Sequence, residues 1–194
     1  MPYERVLVDR VQDAQKQPAY LKLNPNGLIP VLADGDLVLY ETAAIALHLC
    51  DTHPECSLAP ALGTSERAHF YKWLMWLTNT LQSALIVYFY PERWVDAGNA
   101  AGAVEVKKHA EERIRGMLDQ LEAALARHGG PWLLGEPYTA LDAYVFTLCR
   151  WTRGFVLTPP ARERRLLASL LQRMLERPAV QRMLHNEGLS APFF

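Results

Sequence analysis

The chain has 194 residues, 50% of them hydrophobic, with 20 basic against 21 acidic side chains and a formal net charge of −1. That is enough apolar material for one large core or two modest ones, and the charge balance offers no electrostatic footprint for a polyanion, so neither nucleic acid nor a membrane surface is an expected partner. The longest apolar run, residues 85–90, falls far short of the roughly 20 residues of a spanning helix, and the first residues show no signal-peptide pattern, so a cytoplasmic location is expected.

In chain order, the short β-branched segment Arg5-Val6-Leu7-Val8-Asp9 is predicted as a strand. Val31-Leu32-Ala33 and Leu37-Val38-Leu39 are predicted as two more, with Asp34-Gly35 supplying the positive φ angles of a two-residue hairpin turn. From Thr42 the period changes: Ala43, Ile45, Ala46 and Leu49 predict a helix ending between Asp51 and Pro54. Everything further along has helical spacing. Thr64-Ser65-Glu66 is a cap signal, after which Phe70, Trp73, Leu74, Leu77, Leu81 and Leu85 recur every three or four residues as one long core-facing helix.

A second long helix follows Gly98–Gly102 and stops at Gly129-Gly130-Pro131, with Lys107, Lys108, Glu111 and Glu112 expected on its solvated face. A third runs from Leu141 to about Arg153, and one or two more lie between Arg162 and His185 with a break near Pro178. The composition shift at Ser57–Gly63 divides the chain into an α+β domain over 1–57 and an all-helical domain over 64–194. Cys50, Cys56 and Cys149 form no C-x-x-C pair and no metal-ligand spacing with the six histidines, so no metal is expected. Cys50 and Cys149 sit inside apolar helical patterns and are expected as small buried hydrophobes.

The most informative stretch is Leu23–Leu32 together with the residues up to Thr42, because it orders a turn, a strand opened by proline, a hairpin and a helix start. Pro30 is tolerable at the first residue of a strand. A cis Ile29-Pro30 bond would turn the Ile29 backbone outward, where its N–H and C=O could pair with a peptide lying alongside. Taken alone, a trans proline at a strand end is the commoner arrangement. Glu41-Thr42 opens a helix whose unpaired N–H groups favour a carboxylate, while the Glu41 carboxylate could hold an ammonium group. Together they would suit an amino-acid zwitterion; alone, they equally describe a capping threonine and an acid favouring the helix dipole.

Asn24-Pro25-x-Gly27-x-x-Pro30-Val31-Leu32, the Asp34-Gly35 hairpin and Glu41-Thr42-x-Ala44-Ile45 resemble the glutathione-binding half of bacterial glutathione S-transferases. Trp132-Leu133-Leu134-Gly135-Glu136-x-Tyr138-Thr139-Ala140-Leu141-Asp142-Ala143 resembles that family's second-domain capping segment, in which Thr139 and Asp142 form a capping box. The box is a folding element, not a catalytic one. The resemblance implies a thioredoxin-like first domain, a helical second domain, a homodimer, and glutathione as co-substrate for a small apolar electrophile. It implies that Ile29, beside Pro30, pairs with the cysteinyl backbone, that Glu41 and Thr42 hold the γ-glutamyl end, and that Gln15-Lys16 holds the glycine end, with Lys16 attracting its carboxylate. Lys16 is equally readable as a solvated surface lysine.

The family's sheet has strand order 2-1-3-4, and its first strand, loop and helix carry the Tyr, Ser or Cys that activates the sulfur. The present sequence begins where the second strand is expected, with Pro2–Val6 resembling the end of the first helix, so the usual catalytic position is absent from it. Either an N-terminal extension precedes it, or the domain rearranges so that Arg5–Asp9 fills the vacant place or pairs with another subunit. Thr78, Asn79 and Gln82 lie where related bacterial enzymes place polar groups near the sulfur; Gln82 cannot act as a base and could only donate a hydrogen bond there. All three also read as a polar strip between helices. Trp76, Asn79, Gln82, Phe89 and Trp94 are the expected second-substrate pocket, although aromatic residues at helical spacing, such as Trp73, also build cores. Three functions stay open: a transferase, a non-catalytic binding module of the same fold, and a related glutathione-dependent isomerase or reductase.

Overall fold

The computed structural model describes residues 3–194; Met1 and Pro2, and with them the start of the segment expected to end a helix, lie outside the described residues. The chain divides into two units, one up to Glu55 and one from Cys56 to Phe194.

In the first unit, Arg5–Asp9 is not the expected strand. It is irregular, and Val6 and Leu7 are exposed. Among the described residues the sheet contains only two strands, β1 (Val31–Asp34) and β2 (Leu37–Tyr40), so Arg5–Asp9 fills no place beside them. β-Branched residues favour extended backbone, but a strand is held by its ladder partner, and here there is none. Asp9 instead starts a turn: its Oδ1 accepts from the N–H groups of Val11 and Gln12 at 2.9 and 3.2 Å. A 3₁₀ turn at Ala14–Lys16 and a single helical turn, α1 (Pro18–Leu21), come next.

The strands are antiparallel, with Val31 opposite Tyr40 and Asp34 opposite Leu37. The hairpin turn is therefore Gly35-Asp36, one residue later than the sequence pattern suggests. Gly35 takes φ 57°, the positive angle that a type II′ turn places at its first central residue and that glycine adopts without a Cβ clash. Helix α2 (Thr42–Thr52) leaves β2 directly. Cys50 is its one buried residue, so this unit has a thin apolar core.

The second unit is all helix. α3 (Ser65–Trp76) starts at Thr64, whose hydroxyl accepts from the Arg67 N–H at 3.1 Å. The predicted single long helix is interrupted: Leu77–Gln82 winds as a π-helix before α4 (Ser83–Phe89) resumes. Thr78 Oγ1 bonds back to the carbonyls of Leu74 and Met75, and Ser83 Oγ to that of Thr78; such side-chain insertions accompany a disturbed i→i−4 ladder. α5 (Ala100–His128) is capped by Asn99 and closed by Gly129 at φ 69°. α6 (Ala140–Trp151), α7 (Arg165–Glu176) and α8 (Pro178–Asn186) complete the unit.

Its core is filled by fully buried Phe70, Leu77, Leu81, Leu85, Leu118 and Phe146, among others. Two buried carboxylates tie loops to this core. Asp142 accepts from the N–H groups of Leu133 and Thr139, both at 2.8 Å, completing the predicted capping box. Burial pushes its carboxyl above the ordinary range and these hydrogen bonds pull it part of the way back.

Glu111 corrects an expectation. It is 1% exposed rather than solvated, and its Oε1 accepts from the N–H groups of Val156, Leu157 and Thr158 at 3.1, 2.7 and 2.9 Å. A helical period places Glu111 beside Lys107 and Lys108, but only the chain returning after α6 decides which of them is covered. Cys50 and Cys149 are buried as expected; burial raises the Cys149 thiol to about 12, which keeps it protonated and unreactive at neutral pH. No helix among the described residues is long and apolar enough to cross a membrane.

Candidate functional site

The hairpin register assembles the first unit's candidate site. Because Val31 faces Tyr40, the next residues outward, Pro30 and Glu41, lie at the same open end of the ladder, on strands about 5 Å apart. Four features meet there. The Ile29-Pro30 bond is cis and Ile29 is exposed. Among the described residues the Ile29 N–H and C=O have no hydrogen-bond partner, so both are available to an incoming backbone. Glu41 occupies the N-cap of α2 with φ 73° and ψ 109°, a conformation strained for a residue with a Cβ. The first helical bond is made by Ile45 N–H to the Glu41 carbonyl at 2.9 Å, which leaves the N–H groups of Thr42, Ala43 and Ala44 pointing out of the helix end.

The turn before Ile29 is built to present it. Asn24 is buried, donates through Nδ2 to the Leu28 carbonyl at 2.7 Å and accepts through Oδ1 from the Asn26 N–H at 3.0 Å. Tyr20 donates its hydroxyl to the same Leu28 carbonyl at 2.9 Å. Gly27 takes φ 60°, and a Cβ there would meet Lys16 Nζ and the Gln15 carbonyl, each at 3.0 Å. The Lys16 ammonium therefore lies over this turn, two residues from Ile29. Gln15 donates through Nε2 to Asp13 Oδ1 at 3.1 Å, while its buried Oε1 has no partner among the described residues. All six residues expected to hold the peptide, Gln15, Lys16, Ile29, Pro30, Glu41 and Thr42, belong to this unit.

In the second unit, a cavity of about 310 Å³ is lined by Tyr88, Phe89, Pro91, Lys107, Trp151, Arg153 and Gly154. Phe89 and Trp151 meet edge to face with ring centroids 6.1 Å apart, and the Lys107 ammonium sits 4.8 Å from the Tyr88 ring centroid. Burial, with a smaller push from Glu111, raises the Tyr88 phenol, so its hydroxyl stays neutral. Of the residues expected to form the second-substrate pocket, Phe89 lines this cavity. The other four lie outside its lining. Trp76 packs edge to face on Trp73 at 5.2 Å, Asn79 accepts from the Thr78 hydroxyl at 3.2 Å, Gln82 accepts from the Tyr144 hydroxyl at 2.6 Å, and Trp94 is exposed in the 3₁₀ turn Pro91–Trp94. The Gln82 amide oxygen is thus engaged within the helical unit, while its amide nitrogen keeps its donors.

Among the cavity residues to which the sequence assigns no site are Lys107, Trp151 and Arg153. Trp151 ends an apolar helical pattern, and Lys107 sits in a charge run. Each matches a commoner role, and only the meeting of the ends of α4 and α6 with the first turns of α5 reveals the shared one.

The chain matches two family models, "Glutathione S-transferase, N-terminal domain" over residues 1–52 and "Glutathione S-transferase, C-terminal domain" over 93–187. Glutathione S-transferase GST-4.5 of Xanthomonas campestris pv. campestris is 29% identical, the alignment covering 98% of the present chain and 89% of that protein. Glutathione S-transferase GstA of Escherichia coli O157:H7 is 30% identical, with 88% and 79% covered. Among solved structures, a glutathione transferase homologue from Sulfitobacter with bound glutathione superposes with a TM-score of 0.84 at 26% identity, covering 98% and 88%.

Proposed function

Since the chain belongs to the glutathione S-transferase family, combining an α+β unit of thioredoxin-like kind with an all-helical one, we propose that it binds glutathione at the open end of the β1–β2 hairpin. We propose further that it conjugates the bound thiol to small apolar electrophiles as a cytoplasmic homodimer. The observation that carries the binding half is the Val31–Tyr40 register, which sets the outward-facing Ile29 backbone beside the helix mouth at Glu41-Thr42. In this reading Ile29 pairs with the cysteinyl backbone as an added strand. The exposed N–H groups of Thr42, Ala43 and Ala44 receive the γ-glutamyl carboxylate, while the Glu41 carboxylate accepts from its ammonium. Lys16 attracts the glycine carboxylate, and the partnerless Gln15 Oε1 is an acceptor that a peptide N–H would satisfy. The fit needs no metal.

The electrophile is proposed to be received by aromatic and polar side chains of the helical unit, Trp76, Asn79, Gln82, Phe89 and Trp94. Conjugation forms a carbon–sulfur bond as the thiol loses its proton and the electrophile its leaving group, and a thiol titrating near pH 8.5 reacts chiefly as the thiolate.

Calorimetric titration with glutathione, followed by turnover of a generic aryl halide, tests both halves. Binding at millimolar concentration or better is expected, with Glu41→Ala weakening it at least tenfold and abolishing turnover. Binding without turnover would replace the transferase by a binding module. Failure to bind at millimolar glutathione would overturn both.

A further inference from the structure

The cavity of the second unit carries a charge pattern that an apolar ligand does not use. None of its lining residues is acidic, while Lys107 and Arg153 stand at its aromatic wall of Tyr88, Phe89 and Trp151. The cations are held open. Arg153 Nη1 donates to the Arg150 carbonyl at 3.1 Å, which occupies one of its five N–H donors. Arg162 Nη1 donates in turn to the Arg153 carbonyl at 3.0 Å, placing a third guanidinium nearby. Among the described residues none of Lys107, Arg150, Arg153 and Arg162 has a carboxylate partner. Glu111, the buried acid of this region, spends its Oε1 on three backbone N–H groups of the loop after Arg153. Burial and, after it, the neighbouring charge of Arg153 lower the proton affinity of the Arg150 guanidinium. Surface cations are commonplace, but here two of them, Lys107 and Arg153, line a hollow of about 310 Å³ together with three aromatic rings, a size at the lower end of small-molecule sites.

We propose that this cavity binds a planar aromatic carboxylate, with its ring against Phe89 and Trp151 and its anionic head on Lys107 and Arg153. A planar guanidinium matches a carboxylate fork, and the ammonium held over Tyr88 offers a second charge at the same rim. Binding does not depend on glutathione, so a failure here leaves the function proposed above intact, and the converse also holds.

The test is calorimetric titration of the glutathione-free protein with 2-naphthoate and with its neutral analogue 2-naphthalenemethanol at low salt. Naphthoate should bind at least tenfold more tightly than the alcohol. Arg153→Gln and Lys107→Gln should each weaken naphthoate about fivefold with little effect on the alcohol, and the double variant should bring the two probes together. Both side chains are exposed, so circular dichroism and the melting transition should be unchanged. Arg182→Gln, an exposed arginine on α8, should change nothing. Equal binding of the two probes, no binding of either, an unchanged ratio in the double variant, or an equal loss in Arg182→Gln would each overturn the proposal.

Discussion

The two units solve opposite problems. The helical unit buries Phe70, Phe146 and a set of leucines completely and satisfies the loops that border them with carboxylates from inside, Asp142 and Glu111. The hairpin unit leaves Ile29, Pro30, Glu41 and Thr42 exposed, keeps an outward-facing backbone at Ile29 and tolerates a strained φ at Glu41. Stability is concentrated where the chain can pack on itself, and recognition groups stand where it does not. A backbone group that already has a partner cannot bind a peptide, so the weakly packed unit is the one able to do so.

Substitutions at three positions put this contrast at risk. Asp142→Ala strands two buried backbone N–H groups and removes a helix cap, and should cost about 4 kcal/mol in urea denaturation. A loss below about 1 kcal/mol would show that the buried carboxylate does not hold the helical unit together. Glu111→Ala should cost less, about 2 kcal/mol, because Val156 and Leu157 are exposed and water can replace the lost acceptor. Glu111→Gln, which keeps an oxygen acceptor, should recover about half of that, and equal losses for the two variants would assign the effect to charge instead. In the hairpin unit the sign should reverse. Glu41→Gly relieves a positive φ and should raise the hydrogen-exchange protection of β1, β2 and α2 by about 1 kcal/mol while glutathione binding falls. Stability and binding lost together would remove the trade-off.

Much of this molecule is legible in its residue order, and the departures have a common cause. The extents of α5 and α6 and the break between α7 and α8 follow from apolar spacing and from Gly129 and Pro178, since a helix carries its own hydrogen bonds and its ends are chemically marked. The capping box at Thr139–Asp142 is legible for the same reason. Arg5–Asp9 departs from its β-branched composition because a strand depends on a neighbour that local composition does not contain. Glu111 departs from its place in a charge run because helical position says which way a side chain points, not what the rest of the chain lays over it. The π-helical stretch at Leu77–Gln82 has no apolar signature either, since the three- and four-residue spacing of Leu74, Leu77, Leu81 and Leu85 survives it.

From residue order alone come the two-part division, the turn at Asn24–Gly27, the proline opening β1 and the polar helix start at Glu41, all features whose causes lie within a few residues of one another. Folding in three dimensions alone determines that Lys16 lies over Gly27, that Pro30 and Glu41 share one end of a hairpin, that Glu111 is covered, and that Phe89, Lys107, Trp151 and Arg153 surround one hollow. Hydrogen-bonded turns and helix caps are short-range and therefore written locally. Burial, ladder pairing and cavities depend on which distant segments return to the same place.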